Sequence, residues 1–396
     1  MSAALDGIKV LDLSRYIAGP FCAQALGDLG ADVVKVERID GGEEGRRVGE
    51  TVEGDTLFFL STNRNKRGVA VDFRDPEGLA LVRRLALAAD IVVENFRPGT
   101  MEAMGLGWDA LAAENPGLVM VRISGFGQEG PLARHPCFDG AAQAHSGIMA
   151  MTGAPGGPPT MAGVFVCDYA TALYGAMAAL AALQARARTG RGQVVEATLM
   201  DSGLSMLTTA IPERILFGRE PDRRGNRDRY LSPSHCFQAR DGAWIYVVAG
   251  SDAHFPRLAA AMEMPGLAAD PRFAHFAARN ENVAALERII EDWAAGLDGE
   301  TILHRLHEAE VTAERVATIG DVVENPQVAA RGMIVDVPHP ALGSVPFPAP
   351  AMKLHATPTT IRRGAPGLGE HAAEVLAEWL GMDDREVARL AEAGTI

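Results

Sequence analysis

The stretch IKVLDLSRYIAGPFCAQALGDLGADVVKVE, Ile8 to Glu37, decides how the first half of the chain folds. Ile8–Leu13 is a short apolar run, Ala23–Leu29 has helical character, and Val33–Val36 is again a short β-branched run. The stretch therefore reads strand, helix, strand. The same alternation continues outward. Asp75-Pro76-Glu77 has the form of a helix start, with an N-cap, proline at the first helical position and an acidic first turn. Leu79, Val82 and Leu85 then recur on one face before the strand Ile91–Val93. Leu118–Ile123 and Val194–Leu199 are further strands, and a long helix runs from Asp168 to about Arg188, closed by Thr189-Gly190. Strands separated by helices predict an α/β fold with a parallel sheet covered on both faces, and ligands beyond the carboxyl ends of its strands.

A chain of 396 residues exceeds one hydrophobic core, so two lobes are expected. After about Arg214 the texture changes. Asp222–Tyr230 is polar and arginine-rich, Trp244–Val248 reads as a strand, and helical segments run from Phe255 to Ala309. Pro338–Pro358 holds six prolines, at 338, 340, 346, 348, 350 and 358, too many for regular helix or central sheet. Residues 1–215 are read as the first part of a large domain, 220–320 as a small domain, and 321–396 as a linker returning to the large one.

Composition, 47% hydrophobic and 22% charged, is that of an ordinary globular chain. The net charge of -14 argues against a nucleic-acid partner. Cys22, Cys137, Cys167 and Cys236 lie at neither metal nor redox-motif spacing, so no metal is expected. Met1–Gly7 has no basic lead into an apolar segment, and the apolar run Tyr169–Leu183 is shorter than the roughly 20 residues of a membrane span. A cytoplasmic protein away from membranes is the expectation.

Gly125-Phe126-Gly127-Gln128-Glu129-Gly130 matches the dinucleotide fingerprint and follows a strand, but Pro131 and Pro136 obstruct the helix it requires. A tight turn is the better account. Ser124 and Ser146 lie outside any nucleophile elbow. His304 and His307 share a helix face without a third metal ligand nearby. The cluster Arg64-Asn65-Lys66-Arg67 stands out in an acidic chain, and Arg38 and Arg97 each follow a strand. Their placement at strand ends favours binding of a phosphorylated ligand. Asp168, between Val164-Phe165-Val166-Cys167 and Tyr169-Ala170-Thr171-Ala172, is a carboxylate among apolar neighbours. Partial burial would make it reactive, yet aspartate is also a common N-cap, and locally capping is the more economical reading.

In order along the chain stand Val10-Leu11-Asp12-Leu13, Ala18-Gly19-Pro20, Gly30-Ala31-Asp32-Val33-Val34-Lys35-Val36-Glu37 and Asn65-Lys66-Arg67. They are followed by Glu94-Asn95-Phe96-Arg97-Pro98-Gly99, Ser124-Gly125-Phe126-Gly127, Thr189-Gly190-Arg191-Gly192-Gln193 and Leu368-Gly369-Glu370-His371. Taken together these landmarks resemble the class III CoA-transferase family, also called the CaiB/BaiF family. The resemblance implies a Rossmann-like large domain, a smaller α+β domain and an interlocked homodimer. It implies that coenzyme A and its acyl thioesters are substrates, with no tightly bound cofactor, and that Asp168 is the nucleophile. It places Arg38, Val71, Asp72 and Arg74 at the CoA nucleotide with Asn95, Phe96 and Arg97 beside them, and Ala18 and Phe138 near the pantetheine or acyl end.

The chain also departs from that family. Ile17 stands where some members carry glutamine, Ala103 where a basic residue often meets CoA phosphate, and a shielding glycine run is absent between Arg223 and His235. The family includes α-methylacyl-CoA racemases, which need a histidine where Cys137-Phe138-Asp139 has phenylalanine; His135 and His145 are out of register. Transfer is therefore favoured over racemisation, with a non-catalytic CoA-binding protein as the third reading. Arg223–Arg229 is the candidate for meeting a second carboxylate, which points to a dicarboxylic acid with succinyl-CoA as donor.

Overall fold

The computed structural model describes residues 3–396; Met1 and Ser2, part of the amino-terminal stretch read above, lie outside the described residues. Six parallel strands form the main sheet: β1 (Lys9–Asp12), β2 (Asp32–Arg38), β3 (Lys66–Val71), β4 (Ile91–Glu94), β5 (Val119–Ser124) and β6 (Val194–Thr198). Their order is β3-β2-β1-β4-β5-β6, and Val10 pairs with Val33 on one side and Ile91 on the other. Helices cover both faces, chiefly α1 (Ala18–Asp28), α2 (Pro76–Ala88), α3 (Asp139–Ser146), α4 (Val166–Thr189), α5 (Leu199–Ser205) and α6 (Ala372–Leu380). Successive strand residues point to opposite faces. Val10, Val33 and Ile91 therefore join Cys22 and Leu26 of α1 and Ala172 and Ala179 of α4 in one core. Leu11, Val34 and Val92 join Leu81 and Leu85 of α2 and Val375 and Leu376 of α6 in the other.

The run read as Tyr169–Leu183 is the middle of α4, whose 24 residues are long and apolar enough to cross a membrane by length and composition. Its buried face is a stripe of small residues, among them Thr171, Ala172, Gly175, Ala176 and Ala179. Small side chains let the helix lie close to its neighbours: a Cβ on Gly175 would stand 3.2 Å from the Cys22 sulfur. Gly190 at φ +70° ends the helix in the left-handed conformation.

The basic cluster has a different task from the one expected. Arg64 donates to Asp28 of α1 (Nη2–Oδ2 2.7 Å) and to the carbonyl of Pro348. Arg67 pairs with Asp32 at 2.6 Å and with Glu374 and Glu378 of α6 at 2.7 Å each. Asn65 holds Asp28 and the backbone at Thr360 and Arg362. These groups fasten the carboxyl-terminal return to the sheet, and the phosphate-binding role read for them is corrected: their donors are spent internally.

Lys66 goes further inside. It is fully buried, and its ammonium donates to Asp12 Oδ2 (2.8 Å), Asn63 Oδ1 (2.7 Å) and the Pro20 carbonyl (2.8 Å). Lys35, also fully buried, pairs with Glu43 at 2.9 Å, lies 3.8 Å from Asp12, and donates to the Ser14 carbonyl. Burial alone would raise the Asp12 carboxyl; the two lysines outweigh it and hold Asp12 below the usual carboxylate range. Burial pulls the Lys66 ammonium down to about 8, against the opposing pull of Asp12.

By its contacts the chain forms two compact units, one of residues 1–149, 161–218 and 329–396, the other of 150–160 and 219–328. The second carries an antiparallel sheet of β7 (Ser234–Gln238), β8 (Trp244–Val248) and β9 (Thr312–Arg315), with β8 central. Phe237, Ile245 and Val247 of this sheet pack with Leu258, Leu286, Ile290 and Leu306 from its helices. The proline-rich segment begins as a two-stranded hairpin, β10 (Ile334–His339) with β11 (Gly343–Pro348). Pro338, Pro346 and Pro348 are tolerated there because both strands are edges. Lys66→Ala strips Asp12 of its closest counter-charge, and we expect a loss of about 3 kcal/mol, read as a lower urea midpoint in equilibrium unfolding.

Candidate active site

Strand order reverses at β1, with β2 on one side and β4 on the other, so the turns after β1 and β4 diverge and leave a crevice. Two reciprocal bonds set its width. Arg15 N–H donates to Asn95 Oδ1 (2.8 Å), and Asn95 Nδ2 donates to the Arg15 carbonyl (2.7 Å). The next residue, Tyr16, adopts φ +68°, a conformation costing a bulky L-residue on the order of 1–3 kcal/mol. It is held there by its N–H on Glu43 Oε2 (2.6 Å) and by an edge-on ring contact with Phe138 at 5.3 Å. Gly19 lets α1 start beneath this turn, since a Cβ at that position would fall 2.2 Å from the Ser14 Cβ.

Ala18, Asn95, Phe96, Arg97, Phe138 and Asp168 line one cavity of about 480 Å³, together with Arg15, Tyr16, Ser124, His135 and Cys137. Arg97 is exposed and has no side-chain partner among the described residues. Arg38 lines a second cavity of about 220 Å³ with Phe73 and Met104, and the two cavities share Arg15 and Phe96. Val71, Asp72 and Arg74 line neither. Val71 is buried in β3, and Arg74 is engaged by Asp72 (3.0 Å) and Asp40 (2.7 Å). Arg15, Tyr16 and Phe73 were missed from the sequence; only the left-handed turn and the two cavities mark them.

Asp168 lies in the first turn of α4, but it is not the cap. The N-cap position is Phe165, which has no capping side chain. Asp139, the first residue of α3, caps α4 from outside: its Oδ1 accepts from the N–H groups of Cys167 (2.8 Å) and Asp168 (3.2 Å). The capping reading of Asp168 is thereby overturned. Its carboxylate is partly buried and accepts no hydrogen bond among the described residues. Burial, and then the Asp139 charge, push its pKa up to about 7. Burial and the same aspartates raise the Cys137 thiol to about 11 and Cys167 to about 12, so both stay protonated at neutral pH.

After β5 the glycine motif forms a turn, with Gly127 N–H on Ser124 Oγ, and no helix opens there. Ser124 lines the first cavity, whereas Ser146 is buried with its Oγ on the Gln143 carbonyl. His145 meets Phe126 edge-on outside that cavity. The arginines of 223–229 already have partners: Arg223 on the carbonyls of Gly157 and Ala150, Arg224 on Asp222, Arg227 on Glu287, and Arg229 on the Asp222 carbonyl. The expected contact of this segment with a second carboxylate is set aside on that account.

The sequence profile of CoA-transferase family III matches residues 5–372. The chain belongs to that family. It is 40% identical to the succinyl-CoA–D-citramalate CoA-transferase of Chloroflexus aurantiacus, over 98% of this chain and 96% of that one. It is 33% identical to the human succinyl-CoA:glutarate CoA-transferase, over 99% and 90%. A CAIB/BAIF family protein from Brucella suis superposes with a TM-score of 0.86 at 36% identity, covering 96% of this chain and 100% of that one. The chain is a CoA-transferase, an enzyme acting on CoA thioesters.

In this CoA-transferase the unsupported Asp168 carboxylate has a thermodynamic signature. Because its folded pKa exceeds its unfolded one, the protein carries no penalty below about pH 4 and accumulates one as pH rises through 7. Asp168→Asn removes the ionisation. It should stabilise the protein by about 2 kcal/mol at pH 8, discounted for partial exposure, and by nothing measurable at pH 4, as urea unfolding at the two pH values will read.

Proposed function

We propose that this CoA-transferase moves CoA from succinyl-CoA to a small dicarboxylic acid, with Asp168 as the covalent carrier. One observation carries the reading: a partly buried carboxylate without hydrogen-bond partners among the described residues stands in the crevice cavity with Asn95, Phe96 and Arg97. A carboxylate oxygen of Asp168 attacks the thioester carbonyl, the C–S bond breaks, and CoA leaves as thiolate. The thiolate attacks the aspartyl carbonyl of the mixed anhydride, forming aspartyl-CoA and releasing succinate. An acceptor carboxylate then repeats both steps in reverse. The thioester's free energy is conserved and no net proton moves, so the reaction needs no tightly bound cofactor. Arg38, with Phe73 and Phe96, would hold the nucleotide end in the smaller cavity, and Arg97 the phosphates.

Relatives named for citramalate, malate and glutarate support a dicarboxylic acceptor. We further propose a homodimer acting in the cytoplasm, away from membranes and nucleic acid. Exposed apolar residues on α4 (Leu173, Met177) and on the helix Ala210–Phe217 (Ile215, Leu216) support burial against a second copy. Racemisation would require a base opposite Asp168. His135 lines the cavity, but Phe138 occupies the family's histidine position.

Tyr16 and Phe138 supply the water exclusion that the absent glycine run would otherwise provide, as their rings meet at the cavity wall. Asp168→Ala should lose on the order of a thousandfold or more in transfer. The unaltered protein, given succinyl-CoA without acceptor, should gain a CoA adduct on the Asp168 peptide by mass spectrometry. Full activity in Asp168→Ala overturns the mechanism. Wild-type kcat/KM should fall as pH drops below about 7, where the carboxylate takes up a proton. Phe138→Ala should raise the ratio of succinyl-CoA hydrolysis to transfer severalfold; an unchanged ratio removes the aromatic pair from that role.

A further inference from the structure

Among the described residues, Asp139 is the buried charge beside the reacting carboxylate that the transfer steps leave unused. It is 2% exposed, and its three hydrogen bonds all come from the protein. Oδ1 takes the N–H groups of Cys167 and Asp168, the second and third residues of α4, where an N-cap side chain normally bonds. Oδ2 takes the Gln143 amide at 2.5 Å, and Gln143 in turn accepts the Ala162 N–H at 2.9 Å. The cap thus belongs to another helix, and it ties α3, α4 and the segment before α4 to one carboxylate.

We propose that Asp139 is a positioning residue of the transfer reaction, fixing Asp168 in the cavity through the α4 cap and setting its reactivity through its own negative charge. The proposal rests on Asp168 being the nucleophile. A helix N-terminus ordinarily stabilises a nearby carboxylate and makes it a weaker nucleophile. Here Asp139 occupies two of the N–H groups that would do so and adds a like charge, which disfavours ionisation of Asp168. The other titratable groups around Asp168 are Cys137, Cys167 and Tyr169, with His135, Arg97 and Arg15 on the cavity wall. Burial and the aspartates keep both thiols protonated, and Asp139 is the one neighbour through which charge raises Asp168.

A purely structural cap and a charge-setting one respond differently to Asp139→Asn, which keeps an acceptor oxygen for the two N–H groups and loses the charge. The expected result is a folded enzyme whose acid limb of kcat/KM shifts to lower pH by about half to one unit. Its kcat at pH 8 should fall severalfold, because a less basic carboxylate attacks more slowly. Titration of the substrates themselves is common to both enzymes and cancels in the comparison. An unmoved limb overturns the proposal, whatever happens to kcat. If the variant does not fold, Asp139→Ser supplies a neutral capping oxygen: in a carboxyl ¹³C NMR titration, the signal absent from Asp168→Asn should have a lower midpoint in Asp139→Ser than in the wild type, and an equal midpoint overturns the proposal. Asp168→Ala is assayed in parallel. Its inactivity beside an unmoved limb rejects the role of Asp139 alone, whereas its full activity rejects the nucleophile.

Discussion

Everything at the crevice stands on the buried charge network of Asp12, Lys66, Lys35 and Glu43. The turn after β1 has to leave the sheet, cross its upper edge and start α1 within a few residues. Lys35 holds the Ser14 carbonyl, Asp12 accepts from the Ser14 N–H and hydroxyl, and Glu43 accepts the Tyr16 N–H. Each ion costs several kcal/mol to dehydrate, so the network adds little net stability compared with an apolar plug of the same shape. It fixes geometry instead. Charges with defined partners can hold Tyr16 in a left-handed conformation, which an interchangeable set of methyl groups could not do.

Against that rigid turn the opposite wall is built with a different economy. Asp168 has a like charge beside it and no donor among the described residues, whereas Asp12, also buried, has two lysines and a hydroxyl. Two carboxylates in one domain are thus driven to opposite ends of their range, one ionised and structural, the other close to titrating at neutral pH. Such a separation marks chemistry more reliably than the presence of an acid does. The stability forgone at Asp168 is a few kcal/mol at most, which the two cores flanking the sheet can carry.

Much of this was legible in the sequence. The strand–helix alternation and the placing of Asp168 and Asn95-Phe96-Arg97 around one cavity at the carboxyl edge of the sheet were open to local patterns and ordered landmarks, because hydrophobic period and turn chemistry are properties of neighbouring residues. The basic cluster was misread for the converse reason. Whether an arginine faces a phosphate or an internal carboxylate depends on Asp28, Asp32, Glu374 and Glu378, which lie far away along the chain. The arginines of 223–229 misled in the same way, since Glu287 is sixty residues distant from Arg227.

The sequence by itself determined the parallel α/β architecture and the family chemistry, since both rest on patterns readable within a few residues of one another. Tertiary structure alone decided how Asp168 is surrounded. In the sequence it stands where a helix begins, and capping is the economical inference; in space Asp139 of another helix already occupies those N–H groups. Relieved of capping, with no hydrogen-bond donor among the described residues and a like charge beside it, Asp168 is left as a partly buried carboxylate with a raised pKa. That outcome depends on through-space electrostatics between groups 29 residues apart, which no local pattern encodes.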